Sequence, residues 1–228
     1  MSTFDKFFFA IELISITSFG ISGALAAIRK KLDTFGVVMI GVITSIGGGI
    51  IRDLVLGIHP PKSFQNPIYA IIAALFALLT YFIEYRHAKK RGGKPSALRQ
   101  KITDLAMFWL DTAGLASFTM VGVAAAYELE HEYSAFLLCF VGTITGVGGG
   151  LLRDTILNNM PYIFVKHFYA TACIIGSIVC VILWEPAGRI TAMIAGAVVI
   201  VILRFLAAHF RWNLPHVPID DEDGGEKN

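Results

Sequence analysis

The chain has 228 residues, of which 55% are hydrophobic and only 16% are charged, and its mean hydropathy is +0.66. This composition is too apolar for a soluble globular protein, so we expect an integral membrane protein with little chain left for a soluble domain. The net charge of +2 conceals clusters of Lys and Arg that lie between the apolar segments.

Long apolar segments follow one another along the chain. A transmembrane helix needs about 20 mostly apolar residues. Seven segments meet this requirement: 5–28, 34–58, 66–85, 102–127, 134–158, 164–184 and 188–209. We therefore expect an all-α integral membrane protein with seven transmembrane helices.

The first segment carries two short motifs with competing interpretations. Its Ala24-Leu25-Ala26 sequence resembles a signal-peptidase site, but Glu12 interrupts the apolar run and the segment has a counterpart later in the chain. Its Gly20-Ile21-Ser22-Gly23 sequence resembles the serine motif of rhomboid-type intramembrane proteases. A catalytic serine needs a base within hydrogen-bond reach, yet the histidines lie towards span ends or in loops. We expect no enzyme activity.

A glycine motif lies in the second segment and returns in the fifth. Gly47-Gly48-Gly49-Ile50-Ile51-Arg52-Asp53 is matched by Gly148-Gly149-Gly150-Leu151-Leu152-Arg153-Asp154. Each glycine costs a helix about 1 kcal/mol relative to alanine, so the second and fifth helices are predicted to be broken at Gly-Gly-Gly. Broken backbone at membrane depth is tolerated where it lines a polar passage. The alternative is that the glycines only permit close helix packing.

The charged residues of the motif, Arg52, Asp53, Arg153 and Asp154, lie about one turn beyond the glycines. A charge at membrane depth costs at least about 2.5–3.5 kcal/mol, so these side chains must face the protein interior and find partners. Adjacent residues on a helix point in different directions. We therefore predict reciprocal pairs, Arg52 with Asp154 and Arg153 with Asp53. A static staple between the repeats is the alternative role.

Other polar residues are candidates for the same pathway. Hydroxyl groups that can replace water around a cation belong to Thr44, Ser45, Thr143 and Thr145. The alternative is that each hydroxyl bonds to its own helix backbone. Two intramembrane carboxylates, Glu12 and Asp111, occupy matching places in the first and fourth segments and are functional candidates unless they lie at the membrane rim.

The two halves of the chain form a repeat. The motif recurs after 101 residues, and an offset of 99 aligns the first segment with the fourth. Each repeat holds three spans, and an odd number inverts the second copy in the membrane. The predicted units are the first three-helix repeat (1–87), a basic loop (88–101), the inverted second repeat (102–185), a seventh helix (186–212) and a disordered acidic tail (213–228).

Basic residues concentrate at 29–31 and 86–101. Because successive spans cross the membrane in alternating directions, both clusters lie on the same side of the membrane. The positive-inside rule then predicts an external N-terminus and a cytoplasmic C-terminus. The basic loop lacks interleaved aromatic residues, so we expect contact with anionic lipid and no nucleic acid.

No metal or nucleotide motif is present, and no cofactor or soluble protein partner is inferred. The cysteines of the spans, Cys139, Cys173 and Cys180, are expected to be buried hydrophobes.

The doubled Gly-Gly-Gly-x-x-Arg-Asp motif, with seven spans in inverted repeats, resembles prokaryotic members of the trimeric intracellular cation (TRIC) channel family, also grouped as bacterial glycine-transporter-like (UPF0126-type) membrane proteins. The resemblance covers about residues 4–210. It implies a homotrimer in the bacterial inner membrane, in which each protomer holds its own pore for K⁺ or Na⁺. The second and fifth helices would line the pore, and the first and fourth would contribute to trimer contacts.

The resemblance also assigns roles to residues. The triple glycines become the kinks of the pore helices, the four charges of the motif bracket a constriction, and Thr44, Ser45 and Thr145 become pore hydroxyls. Bound lipid is also expected, although the Lys-Glu-Val lipid motif of the animal members is missing between Asp104 and Tyr127, which argues against phosphoinositide control. The alternative function is a carrier for a small zwitterion such as glycine, since helix ends at the midplane suit a carboxylate and an ammonium group equally.

Overall fold

The structure is a computed structural model that describes residues 2–90, 97–129, 134–165, 168–210 and 212. Within these ranges the chain forms nine α-helices: α1 (Thr3–Arg29), α2 (Thr34–Val55), α3 (Lys62–Gln65), α4 (Ile68–Lys90), α5 (Ala97–Tyr127), α6 (Ala135–Ile156), α7 (Tyr162–Val165), α8 (Tyr169–Ala187) and α9 (Arg189–Phe210). Part of the predicted basic loop and the whole predicted tail lie outside the described residues.

Seven of the described helices are long and apolar enough to cross a membrane, namely α1, α2, α4, α5, α6, α8 and α9. They coincide with the seven predicted segments, so the all-α membrane fold is confirmed. Some ends differ. Helix α2 stops at Val55 because Gly57 adopts a left-handed conformation (φ 72°), which ends a helix readily. Helix α5 begins earlier than predicted, at Ala97, where Arg99 donates to Glu84 of α4 (2.7 Å).

Local capping fixes where the helices begin. Ser2 and Asp5 form a reciprocal capping box at the start of α1. The Asp33 carboxylate accepts from the Gly36 amide (2.7 Å) at the start of α2, and the Ser134 hydroxyl does the same for α6. These side chains satisfy backbone amides that have no partner within the helix.

The protein core lies where α1 crosses α5. The second halves of these helices are almost entirely buried, and their equivalent rings, Phe19 and Phe118, contact each other with centroids 5.4 Å apart. Helix α2 packs against α1, α4 and α6, while α9 packs mainly against α8 and α5. The outward faces carry many exposed Ile, Leu and Phe side chains, for example Leu75 and Ile182, which suit contact with lipid.

Helices α2 and α6 each run through their three glycines without interruption. The helical backbone is therefore continuous at the glycines. All six glycines are buried, so the neighbouring helix replaces the shielding that their missing side chains would give the backbone. A bend at these glycines stays a prediction.

Candidate functional site

The centre of the candidate site is a close crossing of α2 and α6. A Cβ atom placed on Gly48 would lie 2.2 Å from the carbonyl oxygen of Thr145, and one on Gly149 would lie 2.1 Å from the carbonyl oxygen of Thr44. The glycines thus let two backbones touch, which supports the close-packing interpretation. As α2 advances from 44 to 48, its contact on α6 retreats from 149 to 145, so the two helices are antiparallel.

The motif charges pair within each helix and not across the crossing. Arg52 binds Asp53 through both Nε and Nη2 (2.8 Å each), and Arg153 Nε donates to Asp154 Oδ1 (2.8 Å). The predicted reciprocal pairs are therefore wrong. Each charge pair lies about five residues beyond the crossing on its own helix, and because α2 and α6 are antiparallel the two pairs lie on opposite sides of the crossing. At about 1.5 Å per residue, they are about 15 Å apart along the helix axes.

Each aspartate of the motif also fixes the chain that follows its helix. Asp53 Oδ2 accepts from the Lys62 amide (2.7 Å), and Asp154 Oδ2 accepts from the Tyr162 amide (3.1 Å). Each carboxylate therefore binds its neighbouring arginine with one oxygen, and with the other it binds the first residue of the following short helix, α3 or α7. The two halves of the chain share this construction, which sequence analysis did not anticipate.

The second half-site consists of Asp111, Arg153, Asp154, Tyr169 and Arg204. The Asp111 carboxylate accepts from Arg153 Nη1 (3.0 Å) and from Arg204 Nη2 (3.4 Å), and the Tyr169 hydroxyl lies 3.5 Å from it. All five side chains are at most 5% exposed. Asp111 is thus a carboxylate buried inside the protein, and the group forms a closed ionic network.

The first half-site consists of Glu12, Arg52, Asp53 and Tyr69. The Tyr69 hydroxyl donates to Glu12 Oε2 (2.8 Å), as an equivalent of Tyr169 and Asp111. Here the carboxylate borders a cavity of about 40 Å³ whose lining includes Glu12, Ser45, Gly49, Arg52, Ser63 and Tyr69. The carboxylate is half-buried, so it lies inside the protein yet next to open space.

The predicted pore hydroxyls do not share one environment. Thr44 and Thr145 each donate to the carbonyl four residues earlier (2.6 Å), as the alternative interpretation proposed. Ser45 donates to the Ile16 carbonyl (2.9 Å) and lines the cavity of the first half-site. Thr143 borders a separate apolar groove between α6 and α8, and its hydroxyl has no hydrogen-bond partner in the described structure. Only Ser45 lies beside the first half-site.

The structure also gives a role to the serine of the protease-like motif. Ser22 Oγ accepts a hydrogen bond from Arg153 Nη1 (3.0 Å), so it supports the second half-site from α1. The roles of Arg204, Tyr69 and Tyr169 were not predicted from the sequence. Arg204 had a usable signal, because it is a lone charge within an apolar span.

Comparison with known proteins places the chain among bacterial membrane proteins. The family model described as Glycine transporter matches residues 9–85 and 108–185, which correspond to the two predicted repeats. The Escherichia coli K12 protein "UPF0126 inner membrane protein YadS" is 32% identical over 213 residues, which cover 92% of this chain and 96% of that protein. A UPF0126 membrane protein of Vibrio cholerae is 33% identical over 208 residues, covering 91% of this chain and 81% of the relative.

Solved structures agree with these relatives. A structure described in "Structural basis for conductance through TRIC cation channels" has a TM-score of 0.77 and 36% identity, covering 96% of this chain and 99% of that one. The TRIC orthologue from Rhodobacter sphaeroides has a TM-score of 0.77 and 28% identity, covering 90% of this chain and 98% of that one. The protein therefore belongs to the family of prokaryotic TRIC channels, whose members are also named UPF0126 and glycine-transporter membrane proteins.

Proposed function

We propose that this protein is a channel for the monovalent cations K⁺ and Na⁺, with a pathway inside each protomer that passes the crossing of α2 and α6. The single observation that carries the proposal is the Glu12 carboxylate beside a cavity between α1, α2 and α4. The family relationship to structures described as TRIC cation channels supports it. The bacterial relative named as an inner membrane protein supports the same location for this chain.

The charges of the first half-site favour cations. Its interior charges are the carboxylates of Glu12 and Asp53 and the guanidinium of Arg52, and the exposed Lys62 also lines the cavity. Arg52 is held by Asp53, so Glu12 keeps a carboxylate oxygen for an ion. A negative cleft with low-dielectric walls raises the local concentration of cations. The hydroxyls of Ser45 and Ser63 can replace part of the ion's water shell.

The glycine crossing gives the pathway a place to open. Gly48 and Gly149 bring two backbones into contact between the half-sites, so an ion must pass where side chains are smallest. We propose that α2 and α6 bend or separate at their glycines, with the charges of the motif bracketing the constriction. The antiparallel contact of α2 with α6 supports two inverted three-helix repeats, each built from three spans.

Removing the charge of Glu12 should weaken conduction. In Glu12→Gln we expect single-channel K⁺ conductance to fall roughly tenfold at about 0.01 M salt, because a negative cleft concentrates cations by about this factor or more. The difference should shrink at about 1 M salt, where the Debye length is only about 3 Å. The matched control is Glu185→Gln, an exposed carboxylate at the end of α8. Equal conductance of wild type and Glu12→Gln at both ionic strengths would exclude Glu12 from the pathway.

A carrier for a small zwitterion such as glycine is the second candidate. The same cavity is lined by a carboxylate, Glu12, and a guanidinium, Arg52, which could bind an ammonium group and a carboxylate respectively. Purified protein in planar bilayers and in vesicles separates the two functions. Unitary currents under a K⁺ gradient require a channel. Saturable glycine uptake without unitary currents requires a carrier and would overturn the channel proposal.

We further propose that the protein works as a homotrimer with bound membrane lipid, and that its N-terminus is external and its C-terminus cytoplasmic. The relative described as a trimeric intracellular cation channel supports the trimer, and the basic residues at 29–31 and 86–90 support the orientation. Mass measurement of the purified protein tests the trimer. A C-terminal reporter that is active only in the cytoplasm tests the orientation.

A further inference from the structure

The two half-sites are built from equivalent parts but differ in one contributor. In each, a tyrosine of the third span of the repeat approaches a carboxylate of the first span, beside the arginine of the motif. Among the described residues, α9 contributes a side chain to the second half-site and none to the first, and this helix has no counterpart in the other repeat. That residue is Arg204, the only charged side chain of α9 between Arg189 and His209.

Arg204 is held on three sides. Its Nη2 lies 3.4 Å from Asp111 Oδ2, and its guanidinium carbon lies 4.8 Å from the ring centre of Tyr169 and 5.1 Å from that of Phe108. The side chain is 5% exposed. A guanidinium between two rings and a carboxylate combines cation–π attraction with an ion pair, so it fixes the position of both partners. Its Nε has no hydrogen-bond partner in the described structure, so the hydrogen-bonding capacity of the guanidinium is not fully used where it lies.

The half-site that contains Arg204 is filled at the place where the first half-site has a cavity. Beside Gly49 in the first half-site, the nearest atoms to an added Cβ lie 3.7 and 3.9 Å away, and the cavity opens there. Beside the equivalent Gly150, the Tyr169 hydroxyl lies only 2.8 Å from that position. Tyr69 is half-buried, whereas Tyr169 is 2% exposed. The ring that Arg204 contacts therefore fills the space that is open in the other half.

Arg204 also changes the charge of its half-site. Two carboxylates, Asp111 and Asp154, face two buried guanidinium groups, so the buried charges of the second half-site balance, whereas in the first half-site the second cation is the exposed Lys62. A neutral, filled half-site offers a cation neither space nor attraction.

We propose that Arg204 is a latch on the second half of the pathway: by holding Asp111 and the Tyr169 ring it keeps this half shut, and conduction requires its withdrawal. The inference rests on the proposed cation pathway. It makes Arg204 a positioning residue that acts through Tyr169 and Asp111. This gate between α9 and the second repeat acts in addition to the proposed opening at the glycine crossing, while the first half-site stays open to ions.

Single-channel recording of three variants tests the latch. Arg204→Met removes the charge, and Tyr169→Phe keeps the ring but removes the hydroxyl that fills the space beside Gly150. We expect the open probability to rise at least about fivefold in both, the lower end of typical conformational coupling. Arg189→Met is the matched control, since this arginine at the other end of α9 is exposed and its guanidinium carbon lies 5.5 Å from the centre of the Phe4 ring. Should Arg204→Met fail to fold, Tyr169→Phe still decides.

A labelling experiment separates the latch from the channel proposal. Cys173 lies one turn after Tyr169 on α8 and is fully buried. With Cys139 and Cys180 replaced by alanine, we expect a small charged thiol reagent to modify Cys173 at least about fivefold faster in Arg204→Met and Tyr169→Phe than in the parent protein. Unchanged labelling and unchanged open probability in both variants would overturn the latch. Faster labelling in a protein that passes no ions would support the latch and reject the channel.

Discussion

Replacing Gly48 or Gly149 by alanine should prevent the two halves of the protein from packing. In each variant the new Cβ would lie about 2 Å from a carbonyl oxygen of the facing helix, 2.2 Å for Gly48 and 2.1 Å for Gly149. Overpacking usually costs about 1–3 kcal/mol, and a helix backbone cannot rotate away as a side chain can, so we expect a loss of at least about 3 kcal/mol in the free energy of unfolding.

The third glycine of the first triplet supplies a control. An added Cβ on Gly49 would meet only ordinary contacts, at 3.7 and 3.9 Å. Alanine favours a helix over glycine by about 1 kcal/mol, so Gly49→Ala should be neutral or slightly stabilising. The fraction of detergent-solubilised protein that stays monodisperse after heating measures all three variants. If Gly48→Ala and Gly149→Ala are as stable as Gly49→Ala, the close crossing of α2 and α6 is wrong.

Replacing Asp111 by asparagine should have the largest effect among the charged residues. Its carboxylate is the shared partner of Arg153 and Arg204, and all three side chains are almost fully buried. Removing one partner from a buried ionic group leaves the other charges uncompensated and costs about 3–5 kcal/mol. We therefore expect Asp111→Asn to express poorly and to lose its monodisperse peak at a much lower temperature than the wild type.

Asp104→Asn is the matched control on the same helix. Asp104 pairs with Arg29, but both side chains are substantially exposed. An exposed ion pair contributes about 0–1 kcal/mol, so this variant should behave nearly as the wild type. Equal stability of the Asp111 and Asp104 variants would contradict the description of the second half-site as a closed ionic network.

The sequence was informative about the membrane spans because these depend on local patterns. Apolar stretches of sufficient length identify every membrane-spanning helix that the structure describes. The repeated motif identifies Gly48 and Gly149 as equivalent positions, and the structure places both at the crossing. Helix ends at 55 and 97 differed because they depend on a left-handed glycine and on a side-chain pair with α4, respectively.

The pairing of charges could not be predicted from equivalence alone. Two equivalent residues of an inverted repeat are related by the symmetry, yet they are close together only if they lie near its axis. Gly48 and Gly149 lie near this axis, whereas Arg52 and Arg153 lie on opposite sides of the crossing. Arg204 was missed for a different reason: its partner Asp111 lies 93 residues earlier in the chain, so no local pattern connects them.

The central claim is that each protomer holds its own cation pathway beside the first half-site. Ser63 lines that cavity and is half-buried, so a cysteine there should react with a bulky thiol reagent. We would record K⁺ current from single Ser63→Cys complexes in which Cys139, Cys173 and Cys180 are replaced by alanine. The reagent should block the current of a trimer in three equal steps. Loss of all current in one step, or no block of the labelled protein, would contradict the claim.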